Sequence, residues 1–225
     1  MKFIKQLLGV ATLLLATSVF AGHEGAVEDF TVVNPPQPTN SGNKIEVLEF
    51  FFYGCSHCYK LHPPISEWEK KLPKDVALVY VPTIFNPAWE PMARTYYALE
   101  SIGQLHQLHD ELFNAWNVNN IDLTDEAKIT DFVAKHGVDR KKFSDAYNAF
   151  AMQGKLMRSK QLASAYGIRG TPTVTVDGKY VITGLQPKDT IRVLDTLIDK
   201  VRKERAGNKG QGQKKSPTKS THQKH

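Results

Sequence analysis

Both cysteines of the 225-residue chain lie in the stretch Phe50-Phe51-Phe52-Tyr53-Gly54-Cys55-Ser56-His57-Cys58-Tyr59-Lys60. An apolar run typical of a buried strand precedes them, and helix-forming residues follow, so Cys55 falls at the start of a predicted helix. Unpaired N–H groups and the helix dipole stabilise a thiolate at that position. Cys58 follows one helical turn later, where its thiol can attack a mixed disulfide formed at Cys55. The spacing therefore predicts thiol–disulfide exchange, with Cys55 attacking and Cys58 resolving.

Two other interpretations of the cysteine pair stay open. A zinc site needs about four ligands, and the sequence offers only Cys55 and Cys58 with His57 or His62 nearby. A purely structural disulfide would close a very short loop and would therefore gain little entropic stabilisation. The pattern favours exchange over both interpretations, and we expect no bound metal.

Residues 1–21 have the pattern of a secretory signal peptide. Lys2 and Lys5 precede a leucine-rich apolar run over residues 6–20, and we expect cleavage after Ala21. An uncleaved membrane anchor is the alternative, but the run is short for a transmembrane helix. We therefore expect a soluble, exported mature protein in the periplasm, an oxidising compartment in which disulfides persist.

The positive net charge of the chain, +6, comes from its two ends. Residues 206–225 carry five lysines and no acidic residue, and the predicted signal peptide carries two more lysines. The remaining 22 basic residues face 23 acidic ones, so residues 22–205 are close to neutral and do not suggest nucleic-acid binding. The composition of residues 206–225 predicts a disordered basic tail, which could weakly contact an anionic surface.

Glu49 interrupts an otherwise apolar face of a predicted strand over Ile45–Tyr53. Its neighbours on that face are Val47 and Phe51, because side chains alternate along a strand. Both faces are largely apolar, as in a central strand covered on two sides. We expect Glu49 to be buried with a raised pKa and to act near Cys55, six residues later. The alternative is a glutamate that reaches solvent at a sheet edge.

The order of secondary-structure signals predicts an α/β protein with a helical insertion. Phe30–Val33 resembles a short edge strand, and Val76–Val81 a buried one. Helical patterns occupy residues 86–163, with Asp139 as a helix cap and Gly137 as a helix stop. Strand signals return at residues 173–183 around an Asp-Gly hairpin turn. We expect a final helix over Lys188–Glu204.

The chain resembles the DsbA family of the thioredoxin superfamily over most of residues 40–200. The resemblance rests on the exported N-terminus, on Glu49-Phe50-Phe51-Phe52-Tyr53-Gly54-Cys55-Ser56-His57-Cys58-Tyr59, on the helical insertion and on Gly170-Thr171-Pro172. It implies a thioredoxin fold interrupted by an all-helical domain. The domain boundaries that we expect are residues 22–85 and 164–205 for the discontinuous thioredoxin-like domain and 86–163 for the insertion.

The resemblance also implies the roles of individual residues. Cys55 is expected to be the exposed nucleophile, Cys58 its buried partner and Glu49 the buried acid beneath the site. Thr171-Pro172 is expected to form a cis peptide that packs beside the cysteines and pairs with the substrate backbone.

Two further positions lie between the cysteines. His57 can donate a hydrogen bond or carry positive charge near the thiolate. Ser56 stands where family members often have proline, and it adds a backbone N–H and a hydroxyl able to reach the Cys55 sulfur. We include Ser56 among the residues expected to contact substrate.

The activity that the resemblance implies is donation of the Cys55–Cys58 disulfide to reduced, unfolded exported proteins, without a cofactor. A DsbB-type membrane quinone reductase is the expected reoxidising partner. We expect a monomer, because no dimerisation domain is evident, and dimers are usual for the rival isomerases and reductases. A peptide-binding or chaperone module with a thioredoxin fold is a second alternative.

Overall fold

The protein is described over residues 29–212 by a computed structural model, so residues 1–28, which include the predicted signal peptide, and residues 213–225 lie outside the described part. The strands are β1 (Thr31–Val32), β2 (Ile45–Phe51), β3 (Val76–Pro82), β4 (Thr173–Val176) and β5 (Tyr180–Thr183). The α-helices are α1 (Ser56–Glu69), α2 (Glu90–Ser101), α3 (Leu105–Asn117), α4 (Glu126–Lys135), α5 (Arg140–Tyr147), α6 (Ala151–Ala165) and α7 (Pro187–Gly212). No helix within residues 29–212 is long and apolar enough to cross a membrane.

The strands form one mixed sheet in the order β1-β5-β4-β2-β3. β2 and β3 are parallel, and α1 makes the crossover between them, whereas the other neighbouring strands are antiparallel. Helices α2 to α6 all lie between β3 and β4 in the chain. This order is the predicted α/β fold with a helical insertion. The predicted boundaries between the two domains stay a prediction.

Every residue of β2 is buried, because the strand lies inside the sheet and is covered on both faces. Ile45 and Val47 belong to a core cluster with apolar residues of α1 and α7. Leu48 and Phe50 point to the other face, where they join residues at and beyond the end of α6. The alternation predicted for a central strand is therefore confirmed.

The cysteine motif lies where the sheet meets the helical insertion. Phe51, Phe52 and Tyr53, at the end of β2, are part of the same buried cluster as residues from α2 to α6, and so is Cys58 of α1. The inserted helices thus pack directly on the segment that carries the cysteines, which couples the site to the insertion.

The predicted Asp-Gly hairpin turn joins β4 and β5. Asp177 and Gly178 have φ values of +54° and +71°, and the Lys179 N–H donates to the Val176 carbonyl over 3.0 Å. The Gln37 N–H donates to the Gly178 carbonyl over 2.8 Å, which brings the incoming chain directly over the turn. A Cβ atom at Gly178 would overlap the Gln37 backbone oxygen.

Gly178→Ala is therefore expected to destabilise the fold more than Gly184→Ala. Gly184 also has positive φ, +74°, but a Cβ there meets no atom within 4 Å. For Gly184→Ala, backbone strain alone predicts that the free energy of unfolding falls by roughly 1–2 kcal/mol. For Gly178→Ala, strain and the added overlap together predict a fall of roughly 2–5 kcal/mol in the same free energy. Urea denaturation of both variants measures the difference, and equal losses would contradict the proposed close approach of Gln37.

Two features of the structure differ from the sequence prediction. The last helix ends at Gly212, so the predicted end at Glu204 and the disorder predicted from residue 206 are wrong for residues 206–212. Arg205 donates to the Asn43 and Lys44 carbonyls and to Asp177, which anchors the helix where we expected it to stop. The Asn34–Pro35 bond is cis, which nothing in the sequence indicated.

Candidate active site

Cys55 is the N-cap residue of α1, as its place in the sequence predicted. Its backbone is extended, with φ −90° and ψ 115°, and its Sγ accepts a hydrogen bond from the Cys58 N–H over 3.4 Å. The Cys55 carbonyl already accepts the Tyr59 N–H over 2.9 Å, so the helix begins at once. Both cysteines are free thiols; Cys55 is partly exposed and Cys58 is fully buried.

Cys55 is an acidic thiol. A hydrogen bond from the Cys58 side chain lowers its pKa most, and burial opposes that shift. Further hydrogen bonds from the Thr171 side chain and from the backbone N–H groups of Cys58 and His57 bring the pKa to about 5. A thiol with that pKa is about 99% thiolate at pH 7. Cys55 therefore carries negative charge in the reduced protein.

Cys58 has the opposite character. Burial raises its pKa far above that of an ordinary thiol, and its hydrogen bond to the Cys55 sulfur and the charges of Cys55 and Glu49 raise it further. Cys58 is therefore protonated wherever Cys55 is a thiolate. One thiol of the pair is a nucleophile or leaving group, and the other holds a proton.

Glu49 is 1% exposed, so its predicted burial is confirmed. It lies on β2 between Tyr80 of β3 and Val174 of β4, and its Oε2 atom has no hydrogen-bond partner within the described residues. Desolvation raises its pKa to about 8, and the negative charge of Glu69 adds to the shift. At neutral pH Glu49 is therefore mostly a protonated acid, and when it is ionised its charge raises the pKa of Cys58.

The Thr171–Pro172 bond is cis, as the family resemblance implied. β4 runs antiparallel to β2 with Thr173 opposite Phe50, so the residues just before β4 fall beside those just after β2. The Cys55 Sγ lies 3.2 Å from the Thr171 carbonyl oxygen, to which it donates only as a protonated thiol. The sheet register thus joins two parts of the chain that are more than a hundred residues apart.

Ser56 and His57 occupy the first turn of α1 and are both exposed. Among the described residues, no hydrogen bond joins the Ser56 hydroxyl to the Cys55 sulfur, and the contact of Ser56 with substrate stays a prediction. The backbone N–H of His57 contributes to the acidity of Cys55, and its side chain lines a cavity beside the site.

That cavity has a volume of about 280 Å³ and lies next to the cis peptide. We call it the substrate groove, for the role that we propose for it. Its lining comes from α1, from the segment around the cis peptide, from β4 and β5 and from the start of α7: His57, Lys60, Leu61, Gly170, Thr171, Pro172, Val174, Ile182, Thr183, Gly184, Leu185, Gln186, Pro187 and Thr190. Sequence reasoning missed the groove, because these segments meet only in the folded chain.

The helical insertion supports the segment before Cys55, which the sequence also did not reveal. The Tyr53 hydroxyl lies 2.6 Å from His109 Nδ1, and the Asn117 side chain donates to the Tyr53 carbonyl over 2.8 Å. A Cβ at Gly54 would lie 2.7 Å from Trp116, so glycine is required at this contact. Residues of α3 therefore hold both positions that precede Cys55.

The residues considered for a zinc site do not converge on the cysteines. His62 Nε2 lies 2.6 Å from Asp110 Oδ1, on α3. Within residues 29–212 there is no group of three or more histidine, cysteine or carboxylate side chains able to hold a metal ion. The geometry of the site is that of two thiols, a buried acid and a cis peptide.

Comparison with known proteins shows which family the chain is similar to. The family model of the DSBA-like thioredoxin domain matches residues 82–194. The thiol:disulfide interchange protein DsbA of Pseudomonas aeruginosa is 36% identical over 202 residues, which cover 86% of this chain and 96% of that protein. The DsbA of Burkholderia cepacia is 39% identical over 205 residues, covering 85% and 96%.

Solved structures give the same result. The crystal structure of Pseudomonas aeruginosa DsbA superposes with a TM-score of 0.75 at 38% identity, and the match covers 80% of this chain and 94% of that one. DsbA from Xylella fastidiosa superposes with a TM-score of 0.73 at 29% identity, covering 77% and 95%. The chain therefore belongs to the DsbA family of thiol:disulfide oxidoreductases with a thioredoxin fold.

Proposed function

We propose that the protein oxidises pairs of thiols in reduced, unfolded exported proteins by donating the Cys55–Cys58 disulfide. The observation that supports this direction is the opposite acidity of the two thiols on one helical turn. Stabilisation of the Cys55 thiolate belongs to the reduced state alone, so it favours reduction of the disulfide. A disulfide that is easily reduced is a good donor to other proteins.

The exchange takes two displacements at sulfur. A substrate thiolate attacks Cys55 Sγ, the Cys55–Cys58 bond breaks, and Cys58 leaves with the electron pair. A second substrate thiolate then attacks the substrate sulfur of the mixed disulfide and expels Cys55 as a thiolate. The substrate is oxidised by two electrons, and the protein is left with one thiolate and one thiol.

Glu49 is the group that we propose as the proton donor to Cys58. Cys58 leaves as a thiolate in a fully buried place, where an unpaired charge is costly. Glu49 is protonated at neutral pH because burial raises its pKa to about 8. Transfer of its proton would make Cys58 a neutral thiol, and the reverse transfer would prepare Cys58 for reoxidation.

Substrate is proposed to bind along Thr171-Pro172 and in the substrate groove. The cis peptide lies directly beside Cys55, whose Sγ is 3.2 Å from the Thr171 carbonyl. The groove adjoins the cis peptide, and its partly exposed apolar residues are Pro172, Leu185 and Pro187. Ser56 and His57 are exposed at the mouth of the site, where an incoming segment would meet them.

We further propose that the protein works in the periplasm as a monomer and is reoxidised by a DsbB-type membrane quinone reductase. Reoxidation has to remove two electrons from the Cys55–Cys58 dithiol, and a quinone accepts two. The signal-peptide pattern of residues 1–21 supports export. Weak contact of the basic tail with an anionic surface would keep the protein near such a partner.

Two ribonuclease assays distinguish an oxidase from an isomerase. Oxidised protein, regenerated by oxidised glutathione, is expected to speed the gain of activity by reduced ribonuclease strongly. It is expected to act much less on scrambled ribonuclease, whose disulfides must be broken before they re-form. Faster unscrambling than oxidation would identify an isomerase and overturn the proposed direction.

A further inference from the structure

The substrate groove carries one full charge, and that charge is positive. Of the lining residues, Lys60 is the only lysine or arginine, and no aspartate or glutamate lines the groove. His57 is the other basic residue of the wall. A lysine ammonium is cationic at neutral pH and offers three hydrogen-bond donors. The only full charge that a polypeptide segment contacts on the lining of the groove is therefore positive.

The Lys60 side chain is available for a ligand. It is exposed, and no carboxylate pairs with it among the described residues. Three other lysines of the chain are engaged by carboxylates: Lys70 with Glu67, Lys155 with Glu100 and Lys160 with Glu90. An unpaired ammonium on the wall of the groove can therefore form an ion pair with a carboxylate of a substrate.

The acidic groups around the groove do not cancel this charge. Glu49 lies behind the wall as the strand partner of Val174, but burial raises its pKa to about 8 and keeps it mostly neutral at pH 7. Asp189 precedes the lining residue Thr190, but it does not line the groove and it shares the guanidinium of Arg192 with Asp29. Lys60 is thus the one lysine, arginine, aspartate or glutamate side chain that lines the groove.

We propose that Lys60 is a specificity-determining residue that favours substrate thiols with a carboxylate nearby in the same segment. The carboxylate would pair with the Lys60 ammonium while an apolar neighbour packs against Pro172, Leu185 and Pro187. This inference rests on the proposed use of the groove for substrate. It names the class of segment that reacts fastest: a cysteine flanked by an apolar residue and an aspartate or glutamate.

The size of the preference follows from the exposure of the pair. Exposed ion pairs change an equilibrium or a rate by roughly 1.5- to 5-fold, and less at high salt. We therefore expect an acidic peptide to react roughly two- to fivefold faster than its neutral counterpart, and a basic peptide to react more slowly. The preference should fade between low and high ionic strength.

The test uses three peptides with one cysteine each, identical except for a glutamate, glutamine or lysine two residues from the cysteine. The rate of reduction of the oxidised protein is measured for each peptide. Each rate is divided by the rate of the same peptide with hydroxyethyl disulfide, because flanking charges also change the reactivity of the thiol itself. The ratio of acidic to basic peptide then reports the protein alone.

Lys60→Gln is expected to bring that ratio close to one, and Lys60→Glu to invert it. Lys74→Glu is the matched control, because it makes the same charge change at an exposed site beyond the far end of α1. It should leave the ratio and the basal activity unchanged. An unchanged order in Lys60→Glu, or the same inversion in Lys74→Glu, would overturn the proposal. Failure of the neutral peptide to react with any form would instead reject the proposed exchange itself.

Discussion

Cys58→Ala is expected to stop turnover and to accumulate a mixed disulfide through Cys55. When the reduced variant meets a disulfide-linked dimer of a single-cysteine peptide, Cys55 attacks it and releases one peptide thiol. Nothing then resolves the protein–peptide disulfide, because the only other cysteine of the chain has been removed. Wild-type protein should release the second peptide through Cys58. Mass spectrometry under non-reducing conditions measures both species.

Cys55→Ala is the matched control for this experiment. Its remaining thiol is fully buried and, in the wild-type protein, burial holds the pKa of Cys58 far above the ordinary range. The control should form no mixed disulfide at neutral pH. Mixed disulfide at Cys58 would reverse the assigned roles, and wild-type refolding activity in Cys55→Ala would favour a peptide-binding module instead.

The same pair of thiols determines how the reactivity of Cys55 depends on pH. Alkylation of Cys55 in the reduced wild-type protein should fall as the pH drops through its pKa of about 5. The hydrogen bond from Cys58 lowers that pKa most, so Cys58→Ala should move the midpoint upward. A midpoint that stays near 5 in the variant would show that other groups stabilise the thiolate.

Local patterns were enough to predict the chemistry of the site. A cysteine that follows an apolar strand becomes a helix N-cap through backbone geometry alone, so the acidity of Cys55 was foreseeable from its position. Glu49 was foreseeable because its neighbours on the strand are apolar on a period of two. The cis bond before Pro172 came from the family resemblance, because few X–Pro bonds are cis.

Features that depend on distant contacts were not foreseeable. The substrate groove combines α1 with a loop before α7, and no local signal links Lys60 to Leu185. The contact of Tyr53 with His109 joins residues 56 positions apart. The end of α7 was placed too early because Arg205 is anchored by Asp177, a partner that periodicity does not reveal. Each of these features depends on tertiary packing or on an ion pair between residues that are distant in the sequence.

Glu49→Gln is expected to remove a large pH dependence of stability from the reduced protein. The ordinary pKa of a glutamate, 4.5, rises to about 8 for Glu49 in the folded protein because of desolvation. Between these values the folded state binds a proton that the unfolded state lacks, so the free energy of unfolding falls as the pH rises. Over the whole window the loss amounts to about 5 kcal/mol.

Glutamine has no such proton to lose, so the variant should be similar to or slightly less stable than wild type near pH 4.5 and clearly more stable above pH 8. Urea denaturation under reducing conditions across that range measures the difference, in which the other titrating groups cancel. Glu46→Gln is the matched control on the same strand. Glu46 is buried too, but it accepts hydrogen bonds from the Asn40 N–H and the Ser41 hydroxyl, so its replacement should lower stability.

Glu49→Gln should also slow exchange, because Cys58 would leave without a proton donor. The prediction fails if the free energies of unfolding of wild type and Glu49→Gln differ by a constant amount from pH 4.5 to 8.5 and their exchange rates are equal. That result would exclude Glu49 from proton transfer.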